Sequence, residues 1–218
     1  MSVKILVTIG DSWPAGAELQ NTACAFPNLI ANNLEIESIN LAEPGTSADQ
    51  ALYKLLNLSL DIDWQHTLLL FCLTGITRSM YIDNSCPKEI HPMAKTTVAQ
   101  FYYKYIHSNQ LDQFNCMRNI LSAQQYCAKK GCELLFVNNW DSAPNHNLID
   151  QSKFYNKTLI EILNINQKLD DKKLDWDLIS QHEFIQPNTC HPNETGHQKI
   201  AKELSQWIKE KLHDKPIS

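Results

Sequence analysis

The chain has 218 residues, of which 43% are hydrophobic and 20% are charged, a balance typical of a globular domain rather than of a disordered or fibrous chain. At this length one domain is expected, because two independent domains would each be small. The formal net charge of −5 gives no electrostatic reason to expect nucleic acid or an anionic membrane surface as a partner.

The apolar content and the cysteines bear on the compartment. The apolar segment at residues 5–9 is too short for the core of a signal peptide, and no apolar run reaches the roughly 18 residues of a membrane helix. The seven cysteines are an odd set without the regular spacing of a disulfide scaffold. We therefore expect reduced thiols, a cytoplasmic location and no membrane partner, while the oligomeric state is not indicated.

Four short segments, at residues 4–9, 38–42, 67–74 and 132–139, predict the strands of a parallel sheet. Three of them are nearly continuous apolar runs that end in glycine or polar residues, which is typical of strands buried on both faces. Helical patterns lie between and after them, at 48–56, 111–127 and 200–212. The first of these helices begins with Ser47 and Gln50 in the form of a capping box. This alternation predicts an α/β fold, a three-layer α/β/α sandwich.

Two segments, 78–105 and 141–186, are longer than a minimal strand-and-helix unit requires. The first carries an aromatic cluster at 101–105, and the second is polar. We interpret both as insertions around the mouth of an active site, because long excursions at the carboxyl ends of parallel strands commonly carry ligand contacts. Most of the clustered aromatic side chains are expected to cover sheet or helix surface.

Short motifs with chemical meaning follow the predicted strands and precede the last helix. They are Gly10-Asp11-Ser12 after the first strand, Gly45 after the second, Gly75 after the third, and His191-Pro192-Asn193 with Gly196-His197 before the final helix. In order and spacing they resemble blocks I, II, III and V of the SGNH/GDSL hydrolase family, across essentially the whole chain. The resemblance implies a single domain over 1–218 with a flavodoxin-like parallel sheet, acting as a serine esterase or acylhydrolase.

The resemblance implies that Ser12 is the nucleophile and His191 the general base. A serine hydroxyl is a poor nucleophile until an imidazole accepts its proton, and the same imidazole later protonates the leaving alcohol. His197 belongs to the start of the final helix and is interpreted as structural. Cys190 is interpreted as an incidental thiol, because neighbours in sequence point apart on a loop or strand.

The resemblance also implies an oxyanion hole that uses the backbone amides of Ser12 and Gly45. A glycine here lets bare backbone approach the negative charge that develops in the transition state. The family's third donor is the asparagine of a Gly-x-Asn-Asp motif, but this chain has Thr77 there and Arg78 in place of the aspartate. Thr77 is the first choice for the third donor. The alternatives are Asn138 or Asn139 after the fourth strand, or the absence of a third donor.

Block V departs from the family pattern as well. The family usually has an aspartate three residues before its histidine, and here that residue is Asn188. An asparagine carbonyl can accept a hydrogen bond from the ring but lacks the charge, and this replacement has cost about 10⁴-fold in a serine triad. Asn188 orients His191 in a Ser-His dyad, or Glu183 supplies the carboxylate, or the enzyme is weak.

Three residues near the nucleophile are candidates for substrate contacts. Arg78 could bind a carboxylate or phosphate of the substrate, or form an internal ion pair with Asp11 or Asp83. Trp13 lines the acyl pocket or packs in the core, with lining slightly favoured, and Asp11 is the third candidate.

The cysteines and histidines show no zinc-site spacing and no phosphate-binding glycine loop is present, so neither a metal nor a cofactor is expected.

The sequence therefore predicts a serine hydrolase that cleaves an acyl or acetyl ester of a small molecule or carbohydrate through an acyl-enzyme on Ser12. The expected partner is the small-molecule ester itself, with no nucleic acid. Altered blocks III and V favour a rival from another class, a catalytically weak or inactive binding protein with the same fold.

Overall fold

The computed structural model describes residues 2–57, 59, 61–140, 143–165 and 179–213. Within them, seven strands form one five-stranded sheet and one hairpin. The strands are β1 (Ile5–Ile9), β2 (Glu37–Asn40), β3 (Thr67–Leu73), β4 (Ser79–Asp83), β5 (Cys86–Ile90), β6 (Glu133–Asn138) and β7 (Phe154–Thr158). The large sheet has the order β2-β1-β3-β6-β7, and all of its pairings are parallel. This is the flavodoxin order once the β4–β5 hairpin is set aside.

Helices cover both faces of the sheet. They are α1 (Ser12–Ala15), α2 (Phe26–Leu34), α3 (Ala48–Asn57), α4 (Thr97–Tyr105), α5 (Asn109–Lys130), α6 (Leu159–Ile162) and α7 (Glu194–His213). Side chains of α2, α6 and α7 pack with Leu68 and Leu70 of β3 in one apolar cluster. Those of α3 and α5 pack with Leu69 and Phe71 in a second cluster. Because successive residues of a strand face opposite sides, β3 divides these two layers, and the predicted three-layer α/β/α sandwich is confirmed.

The predicted strands agree with β1, β2, β3 and β6 to within two residues at each end. The fifth strand, β7, was not predicted. It lies at the edge of the sheet, and its exposed or half-buried polar residues give no continuous apolar run. It falls in the segment 141–186, of which residues 141, 142 and 166–178 lie outside the described residues.

The segment 78–105 contains the β4–β5 hairpin and then α4. Asn84 and Ser85 join the two strands with φ angles of 46° and 65°. Two consecutive residues with positive φ match a type I′ turn, whose backbone twist suits a tight hairpin. The aromatic cluster is divided, because Tyr102 is buried against the hairpin whereas Phe101 and Tyr105 are mostly exposed.

Two further observations concern the helices and the cysteines. Among the described helices, none combines the length and apolar character needed to cross a membrane, although α5 and α7 have 22 and 20 residues. All seven cysteines are free thiols.

Candidate active site

A tight strand-to-helix turn presents Ser12 at the carboxyl end of β1. Gly10 makes this turn possible: a Cβ on it would lie 2.7 Å from Cγ of Pro14 and 2.9 Å from the carbonyl oxygen of Cys72. Asp11 then caps α1 by accepting a hydrogen bond from the Trp13 amide at 3.3 Å. Ser12, the first residue of α1, retains 6% exposure. The predicted nucleophile therefore stands at the edge of the sheet where α/β proteins bind ligands.

Asp11 connects the ends of three parallel strands. Its carboxylate accepts hydrogen bonds from Thr74 Oγ1, just after β3, and from Asn139 Nδ2, just after β6, each at 2.7 Å. The residue is 1% exposed. The expectation that Asp11 contacts substrate is corrected, because a fully hydrogen-bonded buried carboxylate supports the site from beneath. The Asn139 amide is engaged by the same carboxylate, which weakens its candidacy as an oxyanion donor.

Trp13 connects the nucleophile turn with the histidine loop. Its Nε1 donates a hydrogen bond to the carbonyl oxygen of Cys190 at 3.0 Å, next to His191. The side chain is fully buried and packs edge-on against Trp140, with ring centroids 4.8 Å apart. The expectation that Trp13 lines the acyl pocket is corrected, because a side chain with no exposed surface positions the loop instead.

His191 faces a carboxylate that the sequence reasoning missed. Oε2 of Glu18 lies 3.0 Å from Nδ1 of His191, and the two side chains are 45% and 20% exposed. The contact lacks the straight geometry of an N–H···O hydrogen bond, so we describe it as an ion-pair contact. The signal in the sequence was a glutamate six residues after Ser12, on the same turn.

The two residues predicted to orient His191 lie elsewhere. Asn188 is exposed with φ of 63°, and its side chain makes no hydrogen bond to any residue that the structure describes. Glu183 is also exposed, and its backbone carbonyl accepts a hydrogen bond from Asn193 Nδ2 at 2.7 Å. The structure therefore brings Glu18, rather than Asn188 or Glu183, to the imidazole.

His197 occupies a structural position beneath the site. It is fully buried, its Nδ1 accepts a hydrogen bond from the Phe26 amide at 3.1 Å, and its ring stacks on that of Phe26. Burial, with a smaller contribution from the positive charge of His191, lowers the pKa of His197 to about 4. The ring is neutral at physiological pH.

The two backbone amides of the predicted oxyanion hole lie on adjacent loops. The loop after β2 runs beside the nucleophile turn, because the Glu43 amide donates to the Gly10 carbonyl at 3.2 Å. Gly45 follows with φ of 81°, a conformation that favours glycine. Within the described part of the chain, neither the Ser12 amide nor the Gly45 amide donates a hydrogen bond. Their role as oxyanion donors stays a prediction.

Block III forms an exposed turn. The Arg78 amide donates to the Gly75 carbonyl at 3.1 Å, and the Thr77 carbonyl accepts from the Tyr103 hydroxyl at 2.6 Å. Thr77 itself is exposed, and its hydroxyl bonds to none of the described residues. The third oxyanion donor therefore stays a prediction.

Arg78 pairs with Glu89 on β5, rather than with Asp11 or Asp83 as considered from sequence. Nη1 of Arg78 lies 3.4 Å from Oε1 of Glu89, and neither atom has a hydrogen-bond partner among the described residues. The other carboxylate oxygen lies 3.0 Å from where a Cβ of Gly45 would be. Burial raises the pKa of Glu89, and the Arg78 charge opposes this. An ionisable carboxyl group thus borders the Gly45 side of the candidate oxyanion hole.

Comparisons with known proteins identify the fold. No family model and no curated protein matches the sequence. Solved structures do match, among them a protein assigned to the lipolytic G-D-S-L family from Desulfitobacterium hafniense, with 11% identity, a TM-score of 0.53 and coverage of 93% of this chain and 98% of that one.

Two esterases give similar agreement. The esterase EstA from Pseudoalteromonas has 14% identity, a TM-score of 0.55 and coverage of 97% of this chain and 100% of its own. The acetyl xylan esterase Est2A from Butyrivibrio proteoclasticus has 14% identity, a TM-score of 0.55 and coverage of 98% and 65%. At these identities the likeness shows that the chain has the SGNH/GDSL hydrolase fold.

Proposed function

We propose that this chain is a serine hydrolase of the SGNH/GDSL type that cleaves an ester of a small molecule or carbohydrate through an acyl-enzyme on Ser12. One observation carries the proposal: the turn that presents Ser12 also binds the histidine loop through Trp13 and places Glu18 at Nδ1 of His191. Nδ1 therefore lies beside a carboxylate, which leaves Nε2 as the ring nitrogen for proton transfer.

The proposed first half-reaction forms the acyl-enzyme. The Ser12 hydroxyl oxygen attacks the acyl carbon while Nε2 of His191 accepts its proton, and the carbonyl π electrons move onto oxygen. The amides of Ser12 and Gly45 donate hydrogen bonds to that oxyanion. The oxyanion then re-forms the carbonyl, the ester C–O bond breaks, and the imidazolium returns its proton to the leaving alcohol.

The second half-reaction repeats these roles with water. Nε2 of His191 removes a proton from water as the water oxygen attacks the acyl carbon, and the same two amides hold the second oxyanion. Collapse breaks the bond to Ser12, whose oxygen takes the proton back from the imidazolium. The carboxylic acid product leaves, and the residues return to their starting states.

The similar structures and the polar rim of the site support a proposal for the substrate class. One similar protein is an acetyl xylan esterase, and another is an esterase inhibited by monoethylphosphonate. Arg78 and Glu89 add a paired charge next to Gly45. We propose a polar ester such as an acetylated sugar, with Arg78 available to an anionic group on it, and action in a reducing cytoplasm, as the free thiols suggest.

A binding protein without efficient catalysis is the second candidate. The observation that favours it is the Glu89 carboxyl beside Gly45, because a negative charge there opposes the oxyanion that catalysis must stabilise. Such a protein would bind the same polar ester without turning it over.

A fluorophosphonate probe tests the proposal, because it reacts covalently with activated serines. We expect one probe adduct on the wild-type chain by intact mass, located at Ser12 by peptide mapping. Ser12→Ala should abolish it, whereas Ser38→Ala, at a partly buried serine on β2 that donates to Asn28, should label normally. A wild-type chain that neither reacts with the probe nor hydrolyses acetyl esters would overturn the enzyme and favour the binding protein.

A further inference from the structure

We infer that Glu18 is the carboxylate that positions His191 and stabilises its protonated form, in the place that the family gives to an aspartate of block V. The inference rests on the proposed function and deepens it. Glu18 is a positioning residue, because its carboxylate contacts the imidazole and acts on the substrate only through it.

The backbone at Glu18 is the first independent support. The Leu19 amide donates to the Gly16 carbonyl at 3.1 Å, so residues 16–19 form a β-turn with Glu18 at its third position. Its φ of 68° lies in the left-handed region, where turns of this kind usually have glycine or asparagine. A glutamate is strained there. Strained residues of this sort concentrate at functional sites, where the surrounding structure holds them.

The chemistry around Nδ1 is the second support. A carboxylate at Nδ1 favours the tautomer that carries its proton on that nitrogen, so Nε2 can accept the proton of Ser12. The same negative charge stabilises the imidazolium that then forms. Asn188 has no charge to do this and does not contact the ring. Glu18, on the turn that presents Ser12, thus supplies the carboxylate that block V lacks.

Ser12 and Glu18 are close in sequence, so a single turn positions both of them. Both residues belong to one short segment that the Ala17 amide closes by donating to the Ser12 carbonyl at 3.0 Å. Trp13, between them, binds the loop that carries His191. One turn therefore holds both the nucleophile and the positioning carboxylate in place relative to His191.

Kinetics of Glu18 variants provide the first test. Glu18→Gln keeps the size of the side chain and removes the charge, so we expect kcat to fall about 10²- to 10³-fold with KM nearly unchanged. This is less than the about 10⁴-fold loss of a buried triad, because Glu18 is half exposed. Glu18→Asp should recover part of the loss. Glu35→Gln is the matched control, since Glu35 is another exposed glutamate with positive φ, at 56°.

A double-variant cycle separates positioning from general damage. If Glu18 acts through the imidazole, Glu18→Gln should cause no further loss of kcat or labelling rate in a His191→Ala background. Independent, additive losses would overturn the inference, and so would a Glu18→Gln enzyme with wild-type kcat.

A spectroscopic readout keeps the inference testable apart from turnover. The ¹⁵N shifts of the His191 ring should report a proton on Nδ1 in the wild type and a shift toward the Nε2-protonated form in Glu18→Gln, with Glu35→Gln unchanged. Unchanged ring shifts in Glu18→Gln would overturn the inference. A wild-type chain with the expected shifts but no probe labelling would instead overturn the proposed function and leave the positioning role in place.

Discussion

The two sides of the candidate site are built differently. The nucleophile side, residues 10–19 with 188–197, combines buried residues that make specific hydrogen bonds, such as Asp11 and Trp13, with the partly exposed ion-pair contact between Glu18 and His191. The hairpin side, residues 75–90, has an exposed turn at Thr77 and an ion pair without hydrogen-bond geometry between Arg78 and Glu89. Ser12 and His191 lie on the first side together with Asn188, the altered residue of block V, and the altered block III lies on the second.

This contrast separates two physical requirements. Proton transfer between a serine and an imidazole needs a fixed geometry, and buried hydrogen bonds between the ends of the strands help to provide it. Substrate contacts depend on loops, which can change without disturbing the sheet. Changes on the nucleophile side should therefore cost stability or all activity, whereas changes on the hairpin side should adjust the rate.

The largest stability effect is expected at Asp11. Asp11→Ala removes the acceptor of Thr74 and Asn139 and leaves both donors buried without it. Each unsatisfied buried group costs about 1–3 kcal/mol, so the free energy of unfolding should fall by about 2–6 kcal/mol in urea denaturation. Asp83→Ala, at an exposed aspartate of the hairpin, should change it by less than about 0.5 kcal/mol. Equal losses in the two variants would remove the contrast between the sides.

The second effect is a pH dependence of stability at His197. The pKa of His197 is about 4 in the folded chain, against the ordinary value of 6.5 that applies to the unfolded chain. The unfolded chain therefore binds the proton first as the pH falls. The stabilisation is complete above pH 6.5 and is lost toward pH 4, by about 3 kcal/mol.

His197→Gln, which keeps an acceptor for the Phe26 amide, should remove this part of the acid sensitivity. The measurement is the free energy of unfolding at pH 7 and pH 4.5 for the wild type and the variant. His213→Gln, at an exposed histidine, should retain the wild-type slope. A His197→Gln variant with that same slope would show that the pKa of His197 is not lowered in the folded chain.

On the hairpin side, Glu89→Gln should raise kcat/KM for a neutral ester about tenfold. Neutralising a carboxyl beside Gly45 lowers the repulsion of the oxyanion, and tenfold corresponds to about 1.4 kcal/mol. Glu43→Gln removes an exposed carboxylate from the Gly45 loop and should leave the rate unchanged. A fall in activity for Glu89→Gln would instead indicate that this carboxyl binds the substrate.

The sequence predicted the features that depend on local patterns. Continuous apolar runs located β1, β3 and β6, and the motif around Ser12 located the nucleophile turn. The polar edge strand β7 lacked such a run, and the turn at Asn84 and Ser85 lacks the glycine that usually signals a two-residue hairpin. Glu18 could not be assigned, because its contact with His191 joins opposite ends of the chain and appears only after folding.

The smallest effect is expected at Thr77, the predicted third oxyanion donor on the hairpin side. A donor fixed in a dry site has been worth about 10²–10³-fold in rate, but an exposed hydroxyl exchanges its hydrogen bond with water at little cost. Thr77→Ala should therefore lower kcat by less than about fivefold, with Thr77→Ser as the variant that retains the hydroxyl. A loss of about 10²-fold that serine restores would make Thr77 a full third donor. The small loss would mean that the Ser12 and Gly45 amides carry the oxyanion, which places the machinery of catalysis on the nucleophile side and its adjoining loop.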